Sequence, residues 1–103
     1  MAVIQRTNQL RVIAQIRTHE VFNQSNLRGR PIEHYDGGKG RLSGNDLTVW
    51  DVHRNAGKIA YVITSWATPI AWVLDDGSKF IIDEGHSQST RSHKRIVAEA
   101  FGG

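Results

Sequence analysis

Hydroxyl-bearing and basic side chains crowd into one run, Ser87-Gln88-Ser89-Thr90-Arg91-Ser92-His93, with Lys94 and Arg95 directly after it. Ser and Thr accept hydrogen bonds from the unpaired amides of a helix's first turn, so Ser89 or Thr90 is read as an N-cap. Those amides and the positive end of the helix dipole favour anions, the more so with cations close by. Ser87, Ser89, Thr90, Arg91, His93, Lys94 and Arg95 are therefore the expected binding residues, for a phosphate, a carboxylate or a partner. Lys and Arg in a first turn oppose the dipole, at about 0.3 to 1 kcal/mol each when exposed, which asks for a compensating group. The alternative is an ordinary capped helix whose cations face water.

Other chemistry-bearing residues point nowhere as definite. His19, His34, His53, His86 and His93 lack the paired spacing of metal ligands, and the chain has no cysteine, so neither a metal nor another cofactor is expected. His93 reads better as a half-buried helix residue bonded to a sheet. Ser65 and Ser89 lie in no Gly-any-Ser-any-Gly elbow, and no catalytic residue is assigned; a non-enzyme is expected. Gly37-Gly38-Lys39-Gly40 lacks the spacing and the Ser or Thr of a phosphate loop and reads as a flexible loop. Trp50, Trp66 and Trp72, with Tyr35 and Tyr61, suit base stacking beside basic residues. Strand placement argues instead for the core, with Trp50 and Trp66 on one face and Trp72 in mid-strand.

The elements that hold these groups follow from periodicity. Leu10, Ile13, Ala14 and Val21 suit a helical stripe, whereas Leu10, Val12, Ala14 and Ile16 alternate as in a strand; a helix from about Asn8 to Thr18, capped by Thr7, is favoured. Residues 23–44 are polar and glycine-rich and read as one long irregular connection. Four strands follow, over Leu47–His53, Lys58–Trp66, Ile70–Leu74 and Lys79–Ile82, with Gly57 and Asp76-Gly77 as hairpin turns. Pro69 bends the chain after Trp66. Ile59, Tyr61 and Ile63 share one face against Ala60, Val62 and Trp66, so both faces are apolar and both need cover. The N-terminal segment, the C-terminal helix and a second copy of the chain are the available covers. A last helix from about Thr90 presents His93, Ile96, Val97, Ala100 and Phe101 as one stripe and ends at Gly102-Gly103. The expected fold class is α+β, an antiparallel meander of about four strands packed with a C-terminal and an N-terminal helix.

With 103 residues, 39% of them hydrophobic and 22% charged, the chain is sized and composed as one compact soluble domain, 1–103. No apolar run nears the roughly 20 residues of a membrane helix, and residues 1–6 do not read as a secretion signal, so a cytoplasmic protein without membrane contact is expected. The net charge of +3 is unevenly spread. Seven basic and three acidic residues precede Asp46, three basic and six acidic ones lie between Asp46 and His86, and three basic ones share the remainder with Glu99. Basic ends that met on one face would attract phosphate or an acidic surface.

Three short patterns carry a resemblance. Phe22 with Ser25-Asn26-Leu27-Arg28-Gly29, then Tyr61-Val62-Ile63-Thr64-Ser65-Trp66-Ala67-Thr68-Pro69-Ile70-Ala71, then Ser87-Gln88-Ser89-Thr90-Arg91-Ser92-His93 resemble a family of small proteins encoded by actinobacterial phages, mycobacteriophages among them, and sometimes by their hosts. His86, Lys94 and the order Arg91-Ser92 depart from the family's usual Tyr, Gln and Ser-Arg. The family has no activity to carry over, so the resemblance implies phage origin more than mechanism.

The first functional expectation is thus a non-enzymatic phage-type accessory protein that binds a host protein in the host cytoplasm, through an exposed sheet edge or the 23–44 loop. The alternative is nucleic-acid or phosphate binding through the basic start of the last helix and the basic N-terminal segment. A homodimer covering the second apolar face is a further expectation.

Overall fold

A computed structural model describes residues 4–83 and 88–102. The chain runs α1 (Arg6–Arg17), β1 (Phe22–Gln24), β2 (Leu27–Pro31), a 3₁₀ turn (Ile32–His34), α2 (Gly44–Asn55), β3 (Ile59–Ser65), β4 (Thr68–Leu74), β5 (Lys79–Ile81) and α3 (Gln88–Ala100). The strands form one antiparallel sheet in the order β1-β2-β3-β4-β5, and the fold is α+β.

Register fixes which side chains share a face, since residues directly opposite in an antiparallel ladder point the same way. One row reads Phe22, Gly29, Ile63, Ala71 and Ile81 across the sheet, with Tyr61 opposite Val73 and Leu27 opposite Ser65 beside it. On this face α1 contributes buried Val12, Ile13 and Ile16, and α3 contributes His93, Ile96, Val97 and Ala100. The expected α3 stripe is therefore the one that docks. Arg17 ties the two helices by donating from Nε to the Ala100 carbonyl at 3.1 Å, and an Arg6–Glu99 ion pair of 2.7 Å does the same on the surface.

The opposite row reads Arg30, Val62, Trp72 and Phe80. Its cover over β4 and β5 is α2, where Trp50 meets Trp72 edge-on at 5.0 Å and His53 accepts from the Trp72 indole N–H at 2.9 Å. Residues 47–53 are thus helical, contrary to the strand expected there. Trp50 and His53, three positions apart, fall on one helical face, and that tertiary contact overrides the modest helix propensity of Thr48, Val49 and Val52. The second apolar face is accordingly covered from within the chain. Buried Asp46 in the first turn of α2 accepts the Asp83 amide at 3.0 Å, joining α2 to the segment that follows β5.

Residues 23–44 are likewise not one irregular loop. They contain most of β1, all of β2 and the 3₁₀ turn, with Ser25 and Asn26 both at positive φ (50° and 70°) in the two-residue turn of a tight hairpin. Gly29 lies beneath Tyr61 and the Phe22 ring, where a β-carbon would collide with both. Pro69 stands within β4 beside a register shift at Ile63/Thr64, where a strand tolerates a missing N–H. At the far edge Gly77 has φ +89° and Asp76 Oδ1 accepts the Ser78 amide, as the Asp-Gly signal predicts.

Candidate functional site

The β3–β4 hairpin turns in two residues, Trp66-Ala67, between the paired Ser65 and Thr68. Trp66 takes φ +58°, a conformation that suits glycine and is strained by roughly 1 kcal/mol or more for a bulky side chain. Its amide donates to the Asn26 carbonyl at 2.8 Å, which clamps the tip to the β1–β2 turn. The indole is 59% exposed, whereas Trp50 and Trp72 are at 3% and 0%. Burial of Trp66 beside Trp50 is thus corrected: the residue ends the strand instead of continuing its alternation.

Two concavities flank this indole. On the α2 face, Arg28, Arg30, Tyr35, Thr64 and Trp66 line a hollow of about 190 Å³. Arg28 stands opposite Thr64 and Arg30 opposite Val62, so both guanidinium groups rise from the same face of β2. The buried Arg28 Nε has no hydrogen-bond partner among the described residues. Arg54 lies 5.9 Å from the centre of the Tyr35 ring, whose hydroxyl donates to the Gly38 carbonyl at 2.5 Å. Burial raises the Tyr35 phenol above its ordinary range, against the pull of Arg54 and Arg30, so it stays a neutral donor. Arg28, Arg30 and Asp36 all line this hollow, and Arg54, Arg30 and Asp36 lie close enough to Tyr35 to act on its phenol.

Across the indole, on the α3 face, lies a cavity of about 490 Å³. Buried Ser65, Thr68 and Thr90 belong to its lining, with Ser89, Arg41 and Trp66 around them. The Ser65 hydroxyl lies 2.7 Å from His93 Nδ1 and 3.5 Å from the Thr90 hydroxyl. Burial lowers the basicity of His93, which leaves a neutral ring able to accept from Ser65. No carboxylate among the described residues hydrogen-bonds His93, and Ser65 is 2% exposed, so the pair works as a tie between β3 and α3. Gly40, at φ +54°, presses on the hairpin so closely that a β-carbon would stand 2.6 Å from the Ala67 carbonyl oxygen. The next amide, Arg41 N–H, donates to Thr68 Oγ1 at 2.9 Å.

Of the seven residues singled out at the start of α3, the six that are described do not share one surface. Ser87 lies outside the described residues, and α3 begins at Gln88, so Ser89 and Thr90 belong to its first turn and not to its cap. Thr90 and His93 point into the protein, Ser89 lines the cavity, Arg91 and Arg95 are exposed, and Lys94 donates to the Asp83 carbonyl at 3.0 Å. Successive residues rotate by about 100° on a helix, which scatters such a run around its axis. What sequence reasoning missed is the set from other elements: Arg28, Arg30, Arg41 and Arg54 around Trp66 and Tyr35. The alternation Leu27-Arg28-Gly29-Arg30, inward then outward, was the available signal for β2.

Comparison with protein-family models, with curated proteins and with solved structures finds no match.

Proposed function

We propose that this chain is a non-enzymatic binding protein for single-stranded nucleic acid, which it takes on the sheet face formed by Arg28, Arg30, Tyr35 and Trp66. The observation that carries the reading is Trp66: a large aromatic ring held in solvent, on strained backbone, with arginines to either side. Exposed aromatic rings stack on bases of any sequence while a cationic groove follows the phosphates. Strain retained in a bulky residue marks a position kept for a purpose other than stability. Arg28 supports the same conclusion, because a half-buried guanidinium whose Nε has no partner among the described residues gains from an added anion.

Binding of a partner protein by strand addition finds less support. The two edges, β1 and β5, are three residues long each, and so short an edge offers few main-chain hydrogen bonds to an added strand.

The test is polarisation of a labelled oligonucleotide at two salt concentrations with the intact chain, Trp66→Ala and Arg28→Ala/Arg30→Ala. Expected are binding to a single strand in preference to a duplex, a steep loss with salt, and weakening by both variants. No binding at low salt, or binding that neither variant touches, overturns the reading; capture of a protein that needs Trp66 but competes with no oligonucleotide would replace it.

A further inference from the structure

We propose that the cavity on the α3 side of Trp66 is a second, separate site that takes a free nucleoside monophosphate. Its volume of about 490 Å³ falls within the span of small-molecule sites, roughly 300 to 1,000 Å³. A lone anion would leave most of it empty. The lining divides into the three chemistries such a ligand presents. Trp66 supplies an aromatic wall for a base, Arg41 supplies an exposed guanidinium for a phosphate, and Ser89 brings a hydroxyl group for the sugar.

Arg41 is also held in place. Gly40 fits against the hairpin only because it lacks a side chain, and the Arg41 amide is bonded to Thr68, so the backbone that carries the guanidinium is fixed to the same turn that carries the indole. The two backbone positions that carry cation and ring thus belong to one unit, which lowers the ordering that a ligand must impose. Arg28 and Arg30 line the other concavity and not this one, so the two sites share Trp66 and divide their cations. This inference stands apart from the single-strand reading, and either can fail alone.

The experiment is calorimetric titration of the intact chain with adenosine monophosphate, adenosine and inorganic phosphate, each repeated on Arg41→Ala and on Arg28→Ala/Arg30→Ala. Saturable binding of the monophosphate is expected, at least about tenfold tighter than either adenosine or phosphate alone, and weakened roughly tenfold or more by Arg41→Ala. The Arg28/Arg30 double variant should leave it unchanged while weakening the oligonucleotide. Absence of saturable monophosphate binding, equal binding of phosphate alone, or indifference to Arg41→Ala overturns the inference. Because Arg41 is exposed, its variant folds as the parent does, and circular dichroism of the two checks that directly.

Discussion

The Ser65 hydroxyl sits 2.7 Å from Nδ1 of His93, one residue before the chain swings Trp66 into solvent. The tie between sheet and α3 therefore lies directly under the exposed turn. It also makes folding sensitive to pH, because burial holds His93 below the ordinary histidine value. A base whose folded pKa is depressed is protonated more readily in the unfolded chain, so stability rises with pH across the interval between the two values. Stability should be full above roughly pH 6.5 and decline as the pH falls below it, towards the lower folded value. Urea unfolding at pH 5, 6 and 7.5 checks this, and His93→Gln should remove that part of the slope.

Ser65→Ala should lower stability at pH 7.5 by about 1 to 3 kcal/mol, since it leaves the buried Nδ1 of His93 without its donor. Urea melts measure the change. A loss well under that range would mean that the Ser65–His93 bond does not hold β3 to α3.

Trp66→Gly separates stability from binding. Glycine adopts φ +58° without strain, so unfolding should show no loss and a gain of up to about 1 kcal/mol. Oligonucleotide and monophosphate binding should both fall below detection in the same protein.

Trp66 is the one indole of three that reaches solvent. Acrylamide should quench only its fraction of the fluorescence, and a bound single strand should protect that fraction while leaving Trp50 and Trp72 as they were. Quenching of all three would contradict the burial described above.

Gly29→Ala should cost about 1 to 3 kcal/mol, read from thermal or urea unfolding. Its β-carbon would strike the Phe22 ring and the Tyr61 hydroxyl, and Tyr61 is fully buried with that hydroxyl donating to the Glu20 carbonyl at 2.6 Å.

Much of the scaffold was legible because its signals are local. The α3 stripe, the apolar runs of β3 and β4 and the Asp76-Gly77 turn each depend on neighbours within a few residues. The α2 segment misled because Thr48, Val49, Trp50 and Val52 are residue types that strands favour; only the packing of Trp50 and His53 on Trp72 decides for a helix. The first hairpin was hidden by Gly29, a glycine where an apolar residue would have completed the inward row with Leu27. Phe22 and Tyr61 fill that space from neighbouring strands. The candidate site was the least legible part. Arg28, Arg41 and Trp66 are brought together by two turns and a sheet register, and no single stretch of sequence holds more than one of them.

Geometry also decides where a handle can be attached. Thirteen residues of α3 span about 20 Å, with Ser89 at the end that lines the cavity and Ala100 at the end clasped by Arg17. A tether anchored near Ala100 thus stands about a helix length from Ser89 and the cavity that it lines.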